Sequence, residues 1–190
     1  VHTVLVPNLT FVDGPYTVTG APADDSGLRT VSGDLTIAHT GAADYSQVTT
    51  IGGDVVINKD VTSIDLSAAT VAGGITDSAS ADSGKIVFPK ATAVNVGTSS
   101  VHFANLQKAV GTVNLGFAGA ITSNVSITTP KATRVDFGAK TATGTFEVAA
   151  KTGTAGTAFY APSLEYTIGS TTVTASEAHF SKLTGFGGNS

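Results

Sequence analysis

The sequence predicts an all-β solenoid in which short strands wind into stacked parallel coils, with an N-terminal β cap. Three observations support this fold class: a 20-residue repeat, a composition that favours strands, and apolar triplets that alternate with polar residues. A repeat of this length indicates stacking, because one unit is too small to bury its own apolar side chains. We expect coils of about 20 to 22 residues, each with two short strands, that form a rod on the order of 35 to 40 Å long at about 4.8 Å per coil.

The repeat is clearest in three segments, TVSGDLTI, TIGGDVVI and TVAGGIT, which begin at Thr30, Thr50 and Thr70 and are 20 residues apart. A second motif, FPKATAV at 88–94, returns as TPKATRV at 129–135 after 41 residues, or two periods. A threonine precedes an apolar position in each unit. The spacing predicts a continuous threonine ladder through the coils at Thr30, Thr50, Thr70, Thr92, Thr112 and Thr133.

Each coil also carries an apolar triplet about half a period later, with inward positions such as Ile64 and Leu66 or Val101 and Phe103. Side chains alternate across a strand, so the residue between each apolar pair should face outward. Tyr160 should likewise face opposite to the inward Phe159, as the best aromatic candidate for stacking on a sugar. The predicted ligand-binding face comprises Asp65, His102, Ser126, Glu147 and Tyr160.

The chain divides into a cap, a repeat array and a short tail. Residues 1–27 alternate apolar and polar side chains, break at Asp13-Gly14-Pro15, and are expected to form the N-terminal cap or extended strand segment. Residues 28–185 are the predicted solenoid, and 186–190, which are rich in glycine, are a predicted flexible tail.

Composition excludes several classes of function. A net charge of −4 and only two arginines argue against nucleic acid as a partner, since phosphate binding needs clustered Lys or Arg. No apolar run is long enough for membrane insertion. Cysteine is absent, so neither disulfides nor thiolate metal sites are expected. Because the sequence also lacks methionine, we expect a processed segment of a secreted protein.

Candidate chemistry is sparse. The 14 carboxylates are spread along the chain, and the four histidines lack metal-ligand spacing, so we expect no catalytic residues, no metal and no cofactor. Asp34 and Asp54 lie one coil apart and offer either a cation site or two solvated acids. Four lysines near coil corners offer either a basic stripe for an acidic glycan or protection of strand edges, namely Lys90, Lys108, Lys131 and Lys151.

The segment VTSIDLSAATVAGGI, residues 61–75, has apolar residues at its first, fourth and sixth positions, and this rhythm recurs at Val110, Val113 and Leu115. Together with the paired TVSGDLTI and TIGGDVVI segments, it resembles the leucine-rich repeats of receptor L-domain and BspA-like microbial surface proteins. The resemblance covers roughly residues 28–138. It implies adhesion, recognition or wall structure, and it supplies no site residues.

Three functions remain open from the sequence. The first is a non-catalytic extracellular module of a microbial cell-surface protein or virion appendage, structural or adhesive, which contacts a glycan or a host or cell-surface protein. The second is a self-assembling fibre subunit joined through its N-terminal strand, HTVLVPNLTF. The third is a β-helix enzyme that acts on polysaccharide.

Overall fold

The computed structural model describes residues 9–19, 27–58, 61–77, 93–97, 103–116 and 119–187. These residues form a parallel β-solenoid of about seven turns and contain no helix, which confirms the predicted fold class. Every described strand pair is parallel, and each strand pairs with strands of the neighbouring coils.

Two long sheets form the sides of the rod. The eight-stranded sheet contains, in spatial order, β2 (Tyr16–Val18), β4 (Leu35–Ile37), β7 (Val55–Ile57), β10 (Ile75–Asp77), β12 (Phe103–Asn105), β15 (Val125–Thr129), β18 (Phe146–Ala150) and β21 (Thr171–Thr174). The seven-stranded sheet contains β5 (Gly41–Asp44), β8 (Val61–Leu66), β11 (Ala93–Val96), β13 (Thr112–Leu115), β16 (Arg134–Phe137), β19 (Ala158–Tyr160) and β22 (Glu177–His179).

Two short corner sheets of two-residue strands complete the coils. The N-terminal corner sheet contains β1 (Phe11–Val12), β3 (Thr30–Val31), β6 (Thr50–Ile51) and β9 (Thr70–Val71). The C-terminal corner sheet contains β14 (Ala120–Ile121), β17 (Thr141–Ala142), β20 (Tyr166–Thr167) and β23 (Gly185–Phe186). Most coils therefore carry three strands, one more than the two short strands that the sequence predicts.

The core lies between the two long sheets and is built from the inward residues of both. Ile64 and Leu66 are buried as predicted. Towards the C-terminal half, three phenylalanines fill the core. The ring centroids of Phe137 and Phe146 are 5.2 Å apart in an edge-to-face arrangement, and Phe159 lies 6.2 Å from Phe146. Such aromatic contacts add to the free energy gained by burying the rings.

The predicted inward position of Phe103 is wrong. Phe103 pairs with the outward Ser126 and is 42% exposed, while Ala104 pairs with Ile127 and is fully buried. The sequence V-H-F-A-N suits either phase, because both Phe103 and Ala104 are apolar. Ala104 fits between the large inward side chains of Ile75 and Ile127, and the next position outward accommodates the phenylalanine ring.

The predicted threonine ladder is continuous only through the first three units. Thr30, Thr50 and Thr70 are in register in the N-terminal corner sheet, but Thr112 lies in the seven-stranded sheet beside Arg134. Thr92 lies outside the described residues. The cause is a long span between β10, which ends at Asp77, and β11, which begins at Ala93. A fixed period cannot be counted across such an insertion.

The two ends of the rod differ. The described part of the predicted cap is wound as the first coil, because β1 and β2 pair in parallel with β3 and β4. At the other end, Phe186 is in register with Thr167, which is 2% exposed, yet Phe186 itself is 58% exposed. No described strand packs beyond β21, β22 and β23, so this end of the described rod is open at its strand edges, while Phe180 packs against Phe159 over the core.

Candidate binding faces of the solenoid

The predicted site residues lie on two different faces. Ser126 and Glu147 are neighbours in register on the eight-stranded sheet, whereas Asp65 and Tyr160 lie on the seven-stranded sheet, four strands apart. The prediction of one shared face is therefore wrong for these four residues. Each coil has two long strands with the same alternation, and the pattern does not tell which sheet a triplet joins. His102 lies outside the described residues.

The outer face of the eight-stranded sheet carries a continuous row of eight outward residues, most of which are hydroxyl or amide side chains. We call it the hydroxyl row. Its members follow one another at the strand spacing of about 4.8 Å. In order, they are Thr17, Thr36, Val56, Thr76, Asn105, Thr128, Ala149 and Thr174.

A second row, the Phe103 row, runs beside the hydroxyl row on the last four strands of the same sheet. It consists of Phe103, Ser126, Glu147 and Thr172. The Phe103 side chain lies against Gly74, the residue directly before β10. A Cβ added to Gly74 would lie 3.2 Å from both Cβ and Cδ1 of Phe103. Glycine at this position therefore leaves the space that the ring occupies.

The outer face of the seven-stranded sheet carries a row that begins with carboxylates and amides and ends with aromatic rings. We call it the Asx row, and it contains both Asp65 and Tyr160. In order, its members are Asp44, Asp65, Asn95, Asn114, Asp136, Tyr160 and His179.

The aromatic end of the Asx row is a stack of side chains. The guanidinium carbon of Arg134 lies 4.0 Å from the ring centroid of Tyr160, and the ring of His179 stacks on Tyr160 from the next strand with centroids 4.5 Å apart. Arg134 also forms an ion pair with Asp136 at 2.7 Å. The hydrogen bonds that Arg134 donates to the Asp136 carboxylate raise the pKa of the guanidinium. Since β16 and β22 flank β19, neighbouring side chains cover both faces of the Tyr160 ring.

Two pairs of carboxylates lie on adjacent coils, and each has a local hydrogen-bonding role. Asp34 accepts a hydrogen bond from the backbone N–H of Asp54 at 2.8 Å, and Asp54 accepts one from Gly74 at 2.8 Å. In the Asx row, Asp44 and Asp65 accept hydrogen bonds from the backbone N–H groups of Ser46 and Ser67. These four acids therefore connect coils or stabilise turns.

The electrostatics of Asp44 differ from those of a catalytic acid. Hydrogen bonds from Ser46, through both its side chain and its backbone, lower the pKa of the Asp44 carboxyl below its ordinary value. A general acid for glycoside hydrolysis needs a raised pKa, so that it carries a proton near neutral pH. Asp44 is thus suited to accept hydrogen bonds as a carboxylate.

Within the described ranges, no three side chains of His, Cys, Asp or Glu gather into a set of metal ligands. Among those residues there is also no helix with the length and apolarity needed to cross a bilayer.

Sequence reasoning missed three outward residues: Phe103, Asn105 and Arg134. Phe103 was placed in the core because its alternation with Val101 suggested an inward pair. Asn105 follows in the same strand, so its position depends on the same phase. Arg134 precedes an inward valine, and its contact with Tyr160 depends on the register between β16 and β19, which sequence spacing does not give.

The chain has no match among known proteins in three comparisons: no protein-family model, no curated protein and no solved structure matches it.

Proposed function

We propose that this chain is a non-catalytic, extracellular repeat module of a microbial cell-surface protein or virion appendage, which presents a rigid sheet face for adhesion or serves as a spacer. The observation that carries the proposal is the outer face of the eight-stranded sheet, where the hydroxyl row extends over eight strands. A rigid row of similar polar side chains favours many weak contacts along an extended ligand, whose combined strength exceeds that of each contact.

Two further observations support this proposal. The carboxylates that lie on adjacent coils are acceptors for backbone N–H groups, and the pKa of Asp44 is lowered, which is the wrong direction for a general acid. The apolar rhythm of residues 61–66 and 110–115 that resembles receptor L-domain and BspA-like repeats falls on β8 and β13, where Ile64 and Val113 are buried. That resemblance supports an extracellular location and a glycan or cell-surface protein as partner.

The proposal is tested by a binding screen of the purified protein, displayed as single copies and as multivalent beads, on polysaccharides and intact cells. We expect weak binding by single copies and strong retention of the beads. The same samples are assayed for new reducing ends. Release of sugar from any polysaccharide would replace this proposal with the polysaccharide-active enzyme, and failure of the beads to bind anything would leave only the spacer function.

A second candidate function is a self-assembling fibre subunit, and the open C-terminal end favours it. Phe186 occupies an inward position but is 58% exposed, and Ala178 is exposed although it pairs with the fully buried Phe159. Unpaired parallel edges beside uncovered apolar residues favour the addition of a further strand or coil. In this function, residues 2–11 of a second copy supply that strand; residues 1–8 lie outside the described residues.

Light scattering and electron microscopy over a concentration series test the fibre function. Filaments that Phe186→Glu abolishes would support it, with Thr128→Glu as the control because it adds the same charge in the middle of the rod. A monomer of 18.9 kDa at every concentration would contradict it.

A further inference from the structure

We propose that Phe103 and the polar residues around it form a binding subsite for a neutral, extended polysaccharide that runs along the solenoid axis. This inference rests on the proposed adhesive function and names its ligand class and its main contact. Phe103 thus takes the place of Tyr160 as the aromatic residue that stacks on a sugar, because the Tyr160 ring is covered on both faces.

The Phe103 ring is exposed to solvent. Phe103 is 42% exposed on a sheet face whose other outward residues are mostly polar, whereas Phe137, Phe146 and Phe159 are buried in the core. A phenylalanine ring exposed on a polar face offers apolar surface that a ligand gains free energy by covering. The ring leans over Gly74, so the neighbouring position in its row has no side chain that would block approach from that side.

Amide and hydroxyl side chains lie beside Phe103 on the same face of the sheet. Asn105 lies on the same strand, and Ser126 and Thr128 lie on the next strand in register with Phe103 and Asn105. The C–H face of a pyranose packs on an aromatic ring, while its hydroxyl groups exchange hydrogen bonds with amide and hydroxyl side chains. An apolar surface with a few polar groups around it is the usual composition of a ligand site.

The direction and the charge of this face fit an extended, neutral chain. Successive coils repeat at about 4.8 Å, comparable with the length of one sugar unit in an extended chain. The hydroxyl row, six of whose eight members carry a hydroxyl or amide group, therefore offers similar contacts to successive sugar units beside Phe103. The outward residues on the Phe103 strand and its two neighbouring strands, Thr76, Asn105, Ser126 and Thr128, are uncharged. The next coil brings the carboxylate of Glu147, which disfavours an anionic ligand.

The experiment is affinity electrophoresis followed by calorimetry, with soluble hydroxyethyl cellulose and xyloglucan as neutral probes and alginate as the acidic probe. Phe103→Ala should weaken binding of a neutral probe at least tenfold, and Phe103→Trp should keep it. The matched control is Phe11→Ala, which removes another exposed phenylalanine, 55% exposed, from the first coil. Because Phe103 is on the surface, the melting temperatures of its two variants should differ little from that of the wild type, and circular dichroism checks this.

Each outcome separates this inference from the proposed function. Equal binding of neutral probes by the wild type and Phe103→Ala would overturn the subsite while leaving adhesion in place. Binding of alginate alone would also overturn it, since the ligand would then be acidic. If the wild type binds none of the three probes but beads bind cells, the glycan subsite fails and adhesion to a protein partner stands. Failure of both assays removes the adhesive function itself.

Discussion

At the scale of single residues, the solenoid depends on which side of a strand each side chain occupies. Phe146 and Glu147 are consecutive on β18, and the first is fully buried while the second is exposed. The Phe146 ring contacts Phe137 and Phe159 from the two neighbouring strands of the opposite sheet. Replacing either residue with alanine is therefore a direct measurement of strand phase.

We expect Phe146→Ala to lower the free energy of unfolding by about 3 to 5 kcal/mol, because it removes buried apolar surface and leaves a cavity. Its neighbour provides the control: Glu147→Ala should change the same quantity by no more than about 0.5 kcal/mol. Urea unfolding followed by circular dichroism gives both values. A larger loss for Glu147→Ala than for Phe146→Ala would mean that the phase of β18 is reversed.

The lowered pKa of Asp44 predicts a dependence of stability on pH. Its carboxylate is stabilised in the folded state by Ser46, so the ionised form favours folding, and this contribution is present above the ordinary pKa of Asp. As the pH falls through the lower folded-state pKa, the contribution is lost. Relative to Asp44→Asn, the wild type should lose stability over the acidic range from about pH 5 downward, where the ordinary Asp carboxyl begins to bind a proton. A difference in melting temperature that stays constant over this range would contradict the assignment.

At the scale of the coil, close approach between neighbouring backbones sets which residues are allowed at the corners. Gly73 lies over the preceding coil: a Cβ there would overlap Asp54 Oδ1 and lie 2.9 Å from the carbonyl carbon of Gly53. The same carboxylate accepts a hydrogen bond from Gly74. A side chain at Gly73 would therefore displace both the backbone and the hydrogen bond that joins the coils.

Gly73→Ala should lower the free energy of unfolding by about 1 to 3 kcal/mol, because the backbone of the preceding coil cannot shift without disturbing its own pairing. Gly185→Ala is the matched control, since a Cβ at that position would have no neighbour within 4 Å. Thermal melts of the two variants compare the corners directly. Equal melting temperatures would show that the coils are spaced more widely at Gly73 than the structure has them.

The same scale explains which parts of the fold the sequence predicts. The recurrence of PKAT after 41 residues correctly predicts equivalent positions, because Val94 and Val135 lie in the seven-stranded sheet two strands apart. The two steps along the chain, from Val94 to Val113 and from Val113 to Val135, are 19 and 22 residues and sum to the 41-residue spacing. Between β10 and β11 the length changes, so counting fails and the threonine ladder is lost. The candidate site is harder to predict from the sequence than the fold, because Phe103 and Ala104 are both apolar. Only the pairing with the neighbouring strands decides which of the two is buried.

At the scale of the whole molecule, stability passes from coil to coil, because each coil packs mainly on its two neighbours. Interior strands such as β13 and β16 have a partner strand on both sides, whereas β21, β22 and β23 have a described partner on one side only. The last coil also leaves Phe186 and Ala178 exposed at inward positions. Less apolar surface is buried there, and fewer contacts oppose local opening.

We therefore expect amide hydrogen exchange to be fastest in β21, β22 and β23 and slowest in β13, β16 and β18. Phe146→Ala should speed exchange first in β15 and β21, the strands paired with β18, and only later in β4. The reason is that the lost core packing lowers the stability of the adjacent coils most. Mass spectrometry of proteolytic fragments resolves these segments. Uniform exchange along the rod would instead identify one cooperative unit, and then the open end would weaken every coil equally. Strong protection of β21 to β23 that rises with protein concentration would show that a second copy covers this end, which links the stability of the last coil to the fibre function.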